Sequence, residues 1–226
     1  MDAIDLIRER VVECEAEGIE ILCCPEAILG GLADYAPHPR DIAIDVESGR
    51  LESILAPLAS KTVTLICGFT ELGENGLLYN SAAVFHKGTV IGVYRKLHPA
   101  IRKSIYQPGD RMPVFTVGSL TFGIVICNDS NFEEPASVMA SQGATVLFVS
   151  SNNGLPAERA SVVSASRKAD IARATENRMW VVRADVAGRA GDFVSDGSSG
   201  VVDPAGTLVQ SAESFATALL IAEVDT

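Results

Sequence analysis

The sequence predicts a layered α/β domain, with helices outside and β-sheet inside. Three observations lead there. Helical segments fall into two pairs, runs of short β-rich segments separate the pairs, and 47% of the 226 residues are hydrophobic, enough for a sizeable core. Residues 2–17 read as a helix, because Ile4, Ile7, Val11 and Cys14 recur at helical spacing and Gly18 is a natural stop. A strand follows at 19–23. Residues 50–60 read as the second helix, with Leu51, Ile54, Leu55 and Leu58 apolar. Strands are expected at 62–69, 79–86 and 89–95, with Gly76 and Gly88 supplying turns. A strand at 120–127 leads to a helix near 132–142. A strand at 144–150 leads through Asn152-Asn153-Gly154 to a long helix near 157–177. Strands at 179–186, 199–203 and 216–224 finish the chain. With no internal repeat, low-complexity segment or linker, residues 1–226 read as one domain. The irregular stretches 27–48, 97–111 and 187–197 are where binding residues are expected.

Composition removes several classes of function. A net charge of −11 argues against nucleic acid and anionic membrane surfaces, which need clustered Lys and Arg. No apolar run approaches the ~18 residues of a membrane span. The N-terminus, Met1 to Arg10, is charged and amphipathic and lacks the apolar core of a signal peptide. Cysteines 14, 23, 24, 67 and 127 are odd in number and lack C-x-x-C spacing, so they read as free thiols of a reducing cytoplasm. His38, His86 and His98 stand far apart, and nothing supports a metal site.

Three segments place a reactive group at the end of an apolar run. Leu120-Thr-Phe-Gly-Ile-Val-Ile ends on Cys127, and the polar Asn128-Asp129-Ser130-Asn131 follows at once. Open α/β sheets bind ligands at strand ends. Cys14, Cys67 and Cys23 fit a structural thiol; Cys127 is open to both readings, a core thiol or a nucleophile activated by a nearby base. Glu26 follows Pro25 and enters Ala27-Ile28-Leu29, and a carboxylate against apolar neighbours suits a general base. Lys96 closes Val90-Ile-Gly-Val-Tyr-Arg, either as a solvated strand-end lysine or as a charge aimed at an oxyanion. Arg95 beside it is expected on the opposite face.

Taken together, Cys24-Pro25-Glu26, Tyr94-Arg95-Lys96-Leu97-His98 and Cys127-Asn128-Asp129 resemble the three signatures of the nitrilase, or carbon–nitrogen hydrolase, superfamily. Gln107-Pro108-Gly109-Asp110, Arg173-Ala174-Thr175-Glu176-Asn177, Gly197-Ser198-Ser199 and Asp203-Pro204-Ala205-Gly206 resemble further family segments, in the family's order. The resemblance implies a four-layer α-β-β-α sandwich and a cofactor-free hydrolase of small amides or N-carbamoyl compounds, acting as a homodimer or higher homo-oligomer. It implies that Glu26 takes the proton of Cys127, that the thiolate attacks the carbonyl carbon, and that Lys96 with the backbone N–H of Asn128 holds the oxyanion. Asn128, Asn131 and Asn153 are candidates for substrate contact, whereas Asn152, which could also offer an amide, reads rather as plain turn chemistry. Asp129 is expected to be structural, capping the helix that follows.

Two departures from the family pattern carry their own expectations. The family opens with a strand, whereas this chain begins at the first helix, so that strand is expected to be missing. Many relatives also carry a second Glu after the Lys, whereas 97–111 contains none and places Arg102 and Lys103 there. These departures motivate a second reading, a non-catalytic binding protein on the same fold. A nitrilase and an acyltransferase share the thioester chemistry. A redox protein built on Cys23-Cys24 is disfavoured, because adjacent cysteines rarely bridge.

Overall fold

The computed structural model describes residues 3–100, 103–156 and 162–225. It divides into two compact units, residues 1–111 and 112–226. The chain is α/β throughout, as the alternating periodicities require.

In the first unit, helix α1 (Ala3–Ala16) buries Ile7, Val11 and Cys14, three of the four positions expected on its inner face. Strand β1 (Ile21–Cys23) pairs in parallel with β2 (Thr64–Leu72). Helix α2 (Arg50–Leu55) buries Leu51 and Leu55 and tightens into a 3-10 turn, Ala56–Leu58, at Pro57. Strands β2, β3 (Leu78–His86) and β4 (Thr89–Arg95) form an antiparallel meander, giving the order β1-β2-β3-β4. β2 and β3 are buried on both faces, which explains their near-continuous apolar runs. β1 lies at the sheet's edge and is only three residues long, which keeps its unpaired ladder short.

The second unit holds a six-stranded mixed sheet. Strands β5 (Val114–Val117) and β6 (Leu120–Ile126) form a hairpin, and β6, β7 (Val146–Ser151) and β9 (Trp180–Asp185) run in parallel. β12 (Gly200–Val202) and β13 (Leu208–Ser211) add antiparallel strands, giving the order β13-β12-β9-β7-β6-β5. The parallel strands are joined by helices α3 (Glu133–Ser141) and α4 (Val162–Asn177), as parallel pairing demands. A small sheet of β10 (Gly188–Ala190), β11 (Phe193–Ser195) and β8 (Leu155–Pro156) lies apart from it.

Several expectations are corrected. Residues 216–224 form no strand: despite their apolar run, no neighbour among the described residues offers them a ladder, and they are exposed or half-buried. β5, β13 and the small sheet were not expected; they are short and sit next to Gly and Pro turns. Residues 157–161, the expected start of the long helix, and Arg102 lie outside the described residues.

Candidate active site

Glu26 is aimed by an excursion of the backbone. The Cys24 N–H donates to the Ile66 carbonyl at 2.9 Å, and the Leu29 N–H rejoins β2 at the Gly68 carbonyl at 3.1 Å. Between those anchors the chain spends residues 25–28 while β2 advances by two. Such an extra loop re-aims side chains. Ala27 takes up the strain, with φ at +51°, a region L-residues seldom occupy. β2 tolerates the loop because residue 68 is glycine: a Cβ there would lie 2.5 Å from the Ala27 nitrogen and 2.8 Å from the Pro25 oxygen.

Glu26 is 2% exposed, and two donors converge on its Oε1. Lys96 Nζ donates at 2.6 Å and Asn80 Nδ2 at 2.7 Å. The apolar surroundings expected for this carboxylate are therefore corrected: it is buried, but against an ammonium and an amide. Lys96 is held from its backbone. Its N–H donates to the Asn80 carbonyl at 2.8 Å, and its own carbonyl accepts from Gly109 N–H at 2.8 Å. Gly109 passes so close that a Cβ would meet the Arg95 oxygen at 2.4 Å, which gives the Pro108-Gly109 turn its reason. Arg95 points the other way, as alternation required. It stacks 4.0 Å over the Tyr79 ring and pairs with Glu71, whose carboxylate also accepts from the Ser81 hydroxyl at 2.6 Å.

Cys127 opens a 3-10 turn, Cys127–Asn131, at the end of β6, with φ at +47°. A residue on such a strained strand-to-turn corner is held there by its neighbours. Asp129, fully buried, accepts the Ile126 N–H at 3.2 Å. Its structural role is therefore to close the turn bearing Cys127, not to cap α3, whose N-cap Phe132 has no side-chain hydrogen bond. The Ser130 hydroxyl donates to the Cys127 carbonyl at 2.9 Å. Two arginines hold Ser130 in turn: Arg173 Nη1 donates to its carbonyl at 3.2 Å and Arg183 Nη2 to its hydroxyl at 2.9 Å.

Arg183 is buried with a matching partner. Its Nε and Nη2 donate to the two oxygens of Asp170 at 2.8 and 2.6 Å, and Nη1 donates to the Ser151 hydroxyl. Burial works against its charge, but Asp170 outweighs that cost, with smaller help from Cys127 and Asp185. The guanidinium is held above its ordinary value.

The candidate asparagines separate. Cys127 Sγ donates to Asn153 Oδ1 at 3.6 Å, and Asn153 is 6% exposed. Asn131 is exposed, and its Nδ2 donates to Asn128 Oδ1 at 3.1 Å. Asn152 Oδ1 accepts the Gly154 N–H at 3.0 Å, the turn chemistry anticipated for it. The structure thus brings Glu26 to Lys96 in the first unit and Cys127 to Asn153 in the second.

Sequence reasoning missed Asn80, Asp185 and Arg183. A signal existed for each. Asn80 is a polar residue opening an apolar strand, and Arg183 and Asp185 fall two apart on the inward face of β9. Among the described residues no group of three or more His, Cys, Asp or Glu is arranged to hold a metal ion. No described helix is long and apolar enough to cross a membrane.

The first unit holds a buried carboxylate–ammonium pair, and the second holds a cysteine on a strained strand-end turn. The chain matches the carbon–nitrogen hydrolase family over residues 2–226, and it belongs to that family. It is 29% identical to a nitrilase of Pyrococcus abyssi over 95% of this chain and 80% of that protein. It is 28% identical to an omega-amidase of Xenopus laevis, again over 95% and 80%. The crystal structure of a carbon–nitrogen hydrolase from Helicobacter pylori has the same fold, with a TM-score of 0.81 at 24% identity over 93% of this chain and 80% of that one.

Proposed function

We propose that this protein hydrolyses the carbon–nitrogen bond of a small-molecule amide or N-carbamoyl compound through a Cys127 thioester. The observation that carries this reading is the Glu26–Lys96 pair, 2.6 Å apart and almost wholly buried. Two formal charges are kept out of water only where something uses them or where geometry repays desolvation. In this reading Glu26 accepts the Cys127 proton and the sulfur attacks the carbonyl carbon. Lys96 and the Asn128 N–H then stabilise the oxyanion. Glu26 returns its proton to the leaving nitrogen, which departs as ammonia or an amine; Glu26 then takes a proton from water as the water attacks the thioester, and passes it to the departing sulfur, giving acid and free thiol. Asn131 and Asn153 serve as substrate contacts, and no cofactor takes part.

Family membership along the whole chain supports treating residues 1–226 as one catalytic domain. The relationship to an omega-amidase favours primary carboxamides among the substrates. Five free cysteines fit a reducing cytoplasm, and a homodimer is the assembly in keeping with the family resemblance.

The test is ammonia release from small amides, ω-amides, N-carbamoyl amino acids and nitriles, with Cys127→Ala beside wild type. Turnover that vanishes in Cys127→Ala is expected. Turnover that survives it would remove Cys127 as nucleophile. A folded wild type silent on the whole panel would favour the non-catalytic reading.

A further inference from the structure

Asn153 sits in a network that leaves its side chain only one orientation. Asp185, 7% exposed, receives four hydrogen bonds. Asn153 N–H donates to its Oδ1 at 3.0 Å; Asn153 Nδ2, Ser198 N–H and the Ser198 hydroxyl donate to its Oδ2 at 2.8, 2.9 and 2.6 Å. Because the Ser198 hydrogen is committed to the carboxylate, its oxygen faces Asn153 Nδ2, 3.1 Å away, as an acceptor only. The Ser166 oxygen lies 3.3 Å from the same nitrogen. A carboxylate can only accept. Turning the Asn153 amide over would set its oxygen against the Asp185 oxygen, acceptor to acceptor. The nitrogen therefore faces Asp185 and the oxygen faces Cys127 Sγ.

We propose that Asp185 is a positioning residue that locks the Asn153 amide with its oxygen toward Cys127, so that the wall beside the nucleophile is a hydrogen-bond acceptor. This inference rests on reading Cys127 as the nucleophile, and it narrows the ligand. A group bound against that wall must bring an N–H or O–H, as the nitrogen of a primary amide or carbamoyl group does; an ester oxygen or a nitrile nitrogen would meet a lone pair. The acceptor also favours the resting thiol over the thiolate, so the anion forms only when a base removes the proton.

The test needs no substrate. The rate of Cys127 alkylation by iodoacetamide is followed against pH, read on the peptide containing Cys127. Asp185→Asn puts an amide where the carboxylate was, and Asn153 can turn its Nδ2 toward the sulfur. The alkylation midpoint should fall by about one pH unit, and the rate well below the midpoint should rise about tenfold, the effect of one hydrogen bond to a charged sulfur. Removing the Asp185 charge would act in the same direction by itself, so the change is repeated in Asn153→Ala. There, without the amide, the shift should be less than a third of a unit. Asp129, Arg167, Asp170, Arg173 and Arg183, other charges around this wall in the second unit, are common to all four proteins and cancel from the cycle. An equal shift in both backgrounds, or none in either, overturns the lock. If Asp185→Asn does not fold, Asn153→Ala alone decides: the midpoint should fall, since an acceptor is lost while the Asp185 charge stays, and an unchanged midpoint refutes the proposal. Should the substrate panel be silent while these shifts appear, the lock stands and the catalytic reading falls.

Discussion

Lys96→Met removes an ammonium and keeps a side chain of similar length. In the native protein this ammonium lies 2.6 Å from Glu26 Oε1, and the two side chains are 6% and 2% exposed, so solvent screens them little. Breaking a buried pair from one side typically costs about 3–5 kcal/mol, since the remaining charge stays buried without its partner. Asn80 Nδ2 still donates to the same oxygen, which puts the expectation at the lower end, about 3 kcal/mol. With a urea slope of about 2–3 kcal/mol per molar, the unfolding midpoint read by circular dichroism should fall by about 1 M. Glu26→Gln should lose a similar amount from the other side. The double variant decides the matter, because it removes both charges. Its loss should fall short of the summed single losses by about 2 kcal/mol or more. Strict additivity, or a Lys96→Met protein within 1 kcal/mol of wild type, would refute the account of a tightly coupled buried pair.

Three further outcomes are expected. Asp170→Asn strips Arg183, 3% exposed, of its bidentate partner and should lower the melting temperature by about 10 °C, with partial recovery in Asp170→Leu/Arg183→Met; a drop under 3 °C would contradict it. Gly68→Ala drives a methyl into the Pro25–Ala27 backbone and should cost about 1–3 kcal/mol of stability while lowering kcat on any active amide more than it changes KM; unchanged turnover would show that the loop yields freely. Burial raises the Cys24 thiol from 9.0 to about 12 and the Cys67 thiol well above 9.0. Folded protein thus holds those protons more tightly than the unfolded chain, so this stability is complete below about pH 8.5 and is lost as pH rises toward 12, at about 1.4 kcal/mol per unit for each thiol. Cys24→Ala should flatten the alkaline slope by one thiol's share, and an unaltered slope in chemical denaturation between pH 9 and 11 would count against it.

Much of the fold was legible because helices and strands are local periodicities. Ile7, Val11 and Cys14 mark the buried face of α1, and the ends of β6 and β4 fall beside Cys127 and Lys96. Helix α4 was harder. Its buried positions among the described residues are mostly polar, Ser166, Asp170 and Arg173 beside Ala174, so hydrophobic periodicity marks it weakly. Residues 216–224 mislead in the opposite sense. Their short apolar run reads as a strand, but a strand exists only where another backbone offers its hydrogen bonds.

The sequence by itself determined which residues carry reactive groups and that each stands at an element's end, because residue type and local spacing are written along the chain. Tertiary structure alone decided what those groups face. Asn80 reaches Glu26 across 54 residues and Lys96 reaches it across 70, through the strand register that sets Thr70 opposite Asn80 and Ser81 opposite Arg95. Asn153 reads as a loop residue until Asp185 and Ser198 arrive from 32 and 45 residues away and fix which end of its amide meets the thiol. A hydrogen bond depends on positions within a few tenths of an ångström, and only the packed sheet sets positions that finely between groups so far apart in sequence.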